Sequence, residues 1–322
     1  MKAIRVHTPG GPEALRLEDV PEPQPGPGEV LVRMEATGVN FIEVYQRKGQ
    51  YPLQTPFTPG GEGAGTVVAV GEGVTTLRVG ERVASETLTG AYAELAKTRA
   101  ERLVRLPDDV EGRVAAAVML QGITAHYLTT STYPIHRGDR CLIHAAAGGV
   151  GLLLCQIAKR RGGWVVGTTS TPEKAKLARD AGADEVILYT EQDFVAEVKR
   201  LTNGKGLQVV YDSVGKTTFD RSLDCLVPRG MMVLFGQSSG PVPPLDPQVL
   251  NRKGSLFLTR PTIAHYVASP EELNARASEL LSWIEEGWLR VHIDRTFPLG
   301  EAAQAHTALE SRQTVGKLLL VP

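Results

Sequence analysis

The segment Cys141-Leu142-Ile143-His144-Ala145-Ala146-Ala147-Gly148-Gly149-Val150-Gly151 decides the fold. Its first five residues read as a short apolar strand, and the helix-prone run Val150 to Arg161 follows the turn. Set against G-x-G-x-x-G, the turn reads Ala146-x-Gly148-x-x-Gly151, with alanine in the first glycine's place. Gly148 lets the backbone come close to a pyrophosphate, and Gly151 lets helix and strand pack tightly. A helix beginning here turns unpaired N–H groups and the positive end of its dipole toward the phosphates. A glycine-rich turn without a ligand looks the same in isolation. Its place at the head of a strand–helix series decides for a nucleotide.

Downstream the chain alternates. Strands are read at Trp164–Thr168, Glu185–Tyr189, Val209–Asp212, Met231–Gly236 and Leu256–Thr259, with helices at Pro172–Ala181, Gln192–Leu201 and Thr217–Leu226. Strands separated by such helices predict an α/β fold with a doubly wound parallel sheet. The second strand runs into Gly167-Thr168-Thr169-Ser170-Thr171, which has no carboxylate for a ribose 2′-hydroxyl. Hydroxyls followed by Lys174 suit a 2′-phosphate, so NADPH is the expected cofactor. The alternative leaves Lys174 a solvated helix residue and Thr171 a helix N-cap.

Upstream of residue 112 the texture differs. Lys2–Val6, Glu29–Ala36, Gly65–Val70 and Arg82–Ala84 are short β-prone runs punctuated by glycine and proline, a pattern that predicts a small barrel. Gly112–Leu128 reads as a helix. Beyond the parallel sheet, helices at Glu271–Gly287 and Gly300–Glu310 precede an apolar strand, Lys317–Val321. The expected domains are 1–121, completed by 265–322, and 122–264.

In 322 residues, 35 basic against 36 acidic side chains leave a net charge of −1. That supplies no overall field for nucleic acid or an anionic membrane. No apolar run approaches the roughly 20 residues of a membrane span, and the opening Met1-Lys2-Ala3-Ile4-Arg5 lacks the apolar core of a secretory signal. The three cysteines, Cys141, Cys155 and Cys225, show none of the paired spacing of a disulfide framework or structural zinc site. Reduced thiols in a cytoplasmic compartment are expected.

Several segments together carry a resemblance. Pro59-Gly60-Gly61-Glu62-Gly63-Ala64-Gly65, Val67 to Val74 and Val79-Gly80-Glu81-Arg82-Val83 resemble the GroES-like domain of the medium-chain dehydrogenase/reductases. Gly38 to Ile42, Tyr45, Tyr51-Pro52, Ala145 to Gly151, Tyr211 to Gly215, Phe235 to Ser239, Ser255 to Pro261 and Glu310-Ser311-Arg312 resemble its quinone oxidoreductase, zeta-crystallin-like branch. Zinc-dependent relatives carry a Cys in the segment where this chain has Gly38-Val39-Asn40, and a His where it has Gly61. With two of three ligands incapable of ligation, no catalytic metal is expected.

The resemblance implies a GroES-like β-barrel catalytic domain, a Rossmann nucleotide domain and NADPH bound where the two domains meet. Ala147, Gly148, Gly149 and Val150 would contact the pyrophosphate. Ser170, Lys174 and Tyr189 would surround the 2′-phosphate, and Ser213, Phe235, Gly236 and Ser238 the riboses. Thr259, Arg260 and Arg312 would complete the far wall. Asn40, Tyr45, Tyr51 and Thr124 would face the nicotinamide and acceptor. The polar candidates have plainer alternatives: Tyr45 as a core tyrosine, Asn40 as a turn residue that tolerates a left-handed conformation, Arg260 as an interface residue; Glu62 is read as structural and His126 as packing. The implied activity is hydride transfer from NADPH to a quinone or conjugated carbonyl. The rivals are an enone or enoyl reductase, and a low-turnover dinucleotide-binding structural, sensor or RNA-binding protein. An apolar edge at Ser255–Thr259 suggests a homodimer.

Overall fold

A computed structural model describes all 322 residues. The chain divides into two units, one of Met1–Ile123 with Val267–Pro322 and one of Thr124–Tyr266. The first unit holds β1 (Lys2–Arg5), β2 (Arg16–Asp19), β3 (Glu29–Val39), β4 (Gly63–Val70), β5 (Arg82–Ser85), β6 (Leu95–Arg99) and β7 (Val104–Arg105). The second holds β8 (Arg140–Ile143), β9 (Trp164–Thr169), β10 (Glu185–Leu188), β11 (Leu207–Asp212), β12 (Leu226–Leu234) and β13 (Phe257–Thr259). The chain then returns to the first unit with β14 (Ile293–Pro298) and β15 (Lys317–Val321). The helices used below are α1 (Phe41–Arg47), α2 (Gly112–Tyr127), α3 (Gly149–Arg160), α4 (Pro172–Asp180), α5 (Phe194–Leu201), α6 (Phe219–Ser222), α7 (Gln248–Arg252), α8 (Pro270–Glu285) and α9 (Ala302–Glu310).

In the first unit, β1 and β2 form an antiparallel pair. The main sheet runs β14-β15-β3-β4-β5-β7, with β6 also on β3. Apolar residues alternate along β3 and turn Val30, Val32 and Met34 onto Val67, Val83 and Leu88. Each such side chain, once buried, stabilises the fold by about 1.5–3 kcal/mol. β15 lies between β14 and β3, with Leu318 opposite Val39.

The second unit is a sheet of parallel strands in the order β10-β9-β8-β11-β12-β13. Strands covered on both faces read as continuous apolar runs. Leu142, Val166, Ile187, Val210 and Met232 accordingly form one core with Phe194, Val198 and Phe219 from α5 and α6. The expected doubly wound architecture is what the chain adopts.

Three expectations need correction. Thr217–Leu226 is not one helix: α6 has four residues, a 3-10 turn covers Leu223–Cys225, and β12 already begins at Leu226. β12 therefore starts five residues early, and its register on β11 shifts between Leu207 and Val209. Arg229 at φ 62° marks the irregularity. β12 also ends at Leu234, so Phe235 and Gly236 lie beyond the strand. The helix expected to reach Leu128 ends at Tyr127 and passes into a π-helical turn over Leu128–Thr132. Asn40 is not a left-handed turn residue; at φ −132°, ψ 162° it is the extended N-cap of α1.

Candidate active site

The candidate nucleotide residues of the second unit gather at one end of its sheet. β8 ends at Ile143 and leads into Ala147–Val150; β9 ends before Ser170, β10 before Tyr189, and β11 before Ser213. β12 leads into Phe235, Gly236 and Ser238, while β13 ends on Thr259, followed by Arg260. All are at or just past carboxyl ends of parallel strands. The chain reverses direction of strand addition between β8 and β11, the switch point at which such sheets take ligands.

Local structure shapes the phosphate loop. A Cβ on Gly151 would collide with the Ala145 carbonyl oxygen and lie 2.8 Å from the Ala146 carbonyl carbon, so only glycine lets α3 start this close to β8. Gly148 is the N-cap of α3, and the N–H groups of Gly149, Val150 and Gly151 fall in its first turn, where no intrahelical acceptor exists. These donors fit a pyrophosphate. Beneath the loop, His144 is buried and bonded to Thr168 Oγ1 at 3.0 Å and Ser222 Oγ at 2.9 Å. Ser222 already donates to Thr218 O at 2.8 Å, so it accepts from His144 Nε2–H, and Nδ1 accepts from Thr168. Burial holds the imidazole pKa below its ordinary value, which keeps this neutral chain intact.

Thr171 caps α4 by accepting from Lys174 N at 3.3 Å, which puts Lys174 in the first helical turn after Ser170. The pairing of Thr169 with Leu188 brings Ser170 and Tyr189 side by side, and Thr190 Oγ1 bonds Ser170 O at 3.0 Å. Two hydroxyls and a lysine thus share one corner. On the far side of β8, Asp212 accepts from Val214 N, Gly215 N and Thr218 Oγ1 at 2.7–3.0 Å and fixes the turn carrying Ser213. Ser238 N donates to Ser213 O at 3.1 Å, and a Cβ on Gly236 would lie 2.6 Å from that same oxygen. Ser213, Phe235, Gly236 and Ser238 are therefore one cluster. Arg260 Nη1 bonds the neighbouring Pro261 O at 3.2 Å. Thr124 is buried in α2.

The first unit assembles the other candidates. Tyr45 lies edge-on to Tyr51 with centroids 5.3 Å apart, and 6.1 Å from Phe41. Gln50 N and Tyr51 N both bond Tyr45 O, which folds the loop back on α1. Ile42, Tyr51 and Leu53 are exposed beside them, giving an aromatic and apolar surface. Arg312 follows α9 in the left-handed conformation, φ 59°, and is exposed.

Asn40 sits in a buried polar cluster that sequence reading did not anticipate. Its Nδ2 donates to Glu62 Oε2 at 2.9 Å, and its Oδ1 accepts from Gln121 Nε2 at 3.3 Å and Lys317 Nζ at 2.7 Å. Lys317 also pairs with Glu62, whose other oxygen accepts from Leu120 N at 2.7 Å. Glu43, at the third position of α1, accepts from Asn40 N at 2.8 Å, and burial pushes its carboxyl up to about 7. Glu62, read from sequence as structural, is one half of a buried ion pair.

Residues 26–146 match the family model described as an alcohol dehydrogenase GroES-like domain, and residues 181–320 match that of the zinc-binding dehydrogenases. A quinone oxidoreductase of Pseudomonas aeruginosa is 50% identical over 100% of this chain and 99% of its own length. A 2-haloacrylate reductase of a Burkholderia species is 42% identical over 99% and 98%. A mycobacterial structure complexed with NADPH superposes with a TM-score of 0.98 at 51% identity, covering both chains fully. The Escherichia coli quinone oxidoreductase complexed with NADPH gives 0.97 at 42%, again over both whole chains. The residues here do not fit the zinc named in the second family model. Asn40 offers an amide, Gly61 no side chain, and the Glu62 carboxylate is held by the Lys317 ammonium.

Proposed function

We propose that this chain, which belongs to the quinone oxidoreductase family of the medium-chain dehydrogenase/reductases, is an NADPH-dependent quinone reductase that works without a catalytic metal. The observation that carries the reading is the convergence of the nucleotide candidates on the carboxyl ends of all the strands of the parallel sheet. NADPH, when bound, supplies a hydride with its two electrons, which a quinone accepts as the hydroquinone monoanion; a proton from water completes the hydroquinone.

The residues bind, orient and stabilise. Ala147, Gly148, Gly149 and Val150 receive the pyrophosphate on backbone donors. Ser170, Lys174 and Tyr189 take the 2′-phosphate, for which NADH has no counterpart. Ser213, Phe235, Gly236, Ser238, Thr259 and Arg260 line the ribose and nicotinamide side, Thr124 faces the nicotinamide, and Arg312 adds a cation. Tyr45 and Tyr51 offer a flat face to the acceptor. The Asn40 amide and the Tyr45 hydroxyl donate to the reduced oxygen, where charge develops. No strong side-chain acid is required, because the hydroquinone anion takes its proton from solvent.

Carbon protonation, which an enone or enoyl reductase also needs, makes that reading the less supported one. The near-zero net charge speaks against an RNA-binding role. Free, buried Cys141, Cys155 and Cys225 suit a reducing compartment such as the cytoplasm. β13 is a sheet edge with Phe257 and Leu258 exposed, which supports a homodimer paired along that edge. The test is NADPH oxidation over a panel of quinones and activated alkenes, with NADH and a zinc chelator as controls. Quinones should be reduced fastest, NADH used poorly, and the chelator have no effect. Loss of turnover with chelator, or NADPH binding with no acceptor reduced, removes the reading.

A further inference from the structure

β15 opens with the one charged residue of an otherwise apolar strand, and that residue is buried. Lys317 is 1% exposed. An ammonium group taken out of water is costly unless paired and hydrogen-bonded. Its partners are the Glu62 carboxylate and Asn40 Oδ1, two groups 255 and 277 positions away in sequence. Gly38 makes the room, since a Cβ there would overlap the Glu62 carboxylate and come within 2.8 Å of Lys317 Cε.

The consequence falls on the Asn40 amide. Its oxygen faces two donors, Lys317 Nζ and Gln121 Nε2, and its nitrogen faces a carboxylate. A flipped amide would set its NH₂ against the ammonium and its oxygen against Glu62, so only one orientation is satisfied. Of the two Nδ2 hydrogens, Glu62 takes one.

We propose that Lys317 is a positioning residue: it holds the Asn40 amide so that the second Nδ2 hydrogen meets the oxygen of the reduced acceptor, and it polarises that donor from the carbonyl end. Hydrogen bonds in series strengthen one another inside a protein. A cation on the amide oxygen draws density from the nitrogen, and the Nδ2–H becomes a better donor to an anion. The inference rests on the role given to Asn40 under Proposed function.

The test compares wild type, Asn40→Ala, the neutral pair Lys317→Met with Glu62→Gln, and all three changes together. Turnover is followed with 1,2-naphthoquinone and with acceptors whose reduced oxygen is more basic, and NADPH affinity by fluorescence titration. The neutral pair should lower kcat about tenfold, with NADPH Kd unchanged, and the loss should grow with the basicity of the product oxygen. In the Asn40→Ala background the same pair should cost less than about threefold. Where the neutral pair does not fold, Lys317→Arg replaces it; it keeps the buried charge and should lose less, with the same dependence on the acceptor. An equal loss with and without Asn40, or a loss uniform across acceptors, overturns the proposal while leaving the Asn40 reading intact. An Asn40→Ala enzyme with wild-type kcat overturns both.

Discussion

Asn40 occupies a position where a side chain of similar size could have bound a metal; its amide is instead held by Glu62, Gln121 and Lys317, and the proposed role gives its remaining Nδ2 hydrogen to the acceptor. Removing an anion-stabilising donor of this kind costs on the order of 10²-fold in rate. Asn40→Ala should therefore lower kcat strongly, and Tyr45→Phe more mildly, with NADPH affinity near wild type; stopped-flow turnover and fluorescence titration separate the two. At the adenosine end, Lys174→Glu should weaken NADPH at least tenfold and leave NADH nearly unaffected, because the new carboxylate repels only the 2′-phosphate. An equal loss for both coenzymes would take Lys174 out of the site. Asn40, Tyr45, Ser170 and Lys174 could be put forward as candidates from the sequence because each stands in a local pattern. Lys317 and Gln121 were not. They reach Asn40 only through strand pairing and helix packing, and nothing near them in sequence announces it.

Among the elements, the strands and helices of the second unit from β8 to β11 were legible to within about two residues, since apolar runs between glycine turns leave few options; α6 and the start of β12 were not. Several short ones were missed, among them α1, β2, β6, β7 and β14. α1 has seven residues, too few for a 3.6-residue period to show, although Asn40 followed by Glu43 is a capping box that would have marked its start. The bulge in β12 was hidden because Pro228-Arg229-Gly230 reads as a turn between elements. For α3, Gly151→Val should reduce both melting temperature and NADPH affinity, as the helix start is driven off β8. α1 and α9 are tied by a buried network: Arg47 bonds His306 Nδ1 at 3.1 Å and Glu310 at 2.7 Å, and Tyr92 lies 3.0 Å from His306 Nε2. Arg47 can only donate, so His306 Nδ1 accepts and Nε2–H donates to Tyr92. Burial, with the Arg47 charge beside it, lowers the His306 pKa from 6.5 to about 3. Between those values the unfolded chain binds more protons than the folded one, so this residue's contribution is lost as pH falls from 6.5 toward 3. Glu43, raised to about 7 from 4.5, acts in the opposite sense between 4.5 and 7. Thermal melts across pH 3–7 should show His306→Gln less acid-sensitive than wild type, though less stable at pH 8. A parallel pH dependence for the two would discount the network.

For the whole molecule, the edge strand makes a simple forecast. Phe257→Arg, placing a charge on the exposed outer strand, should convert a dimer to a 34.7 kDa species on size-exclusion chromatography without changing the far-UV spectrum. A wild-type protein already running at that mass would retire the dimer. The first unit also has an unusual itinerary, because β15 is inserted beside β3 only after the entire parallel sheet has been synthesised. During translation, Glu62 must wait for an ammonium that emerges 255 positions later. A nascent chain can complete the unit Thr124–Tyr266 while the other unit still carries a carboxylate with no counter-ion. Stalled on the ribosome short of Lys317, it should resist protease across Thr124–Tyr266 and be cut freely before it.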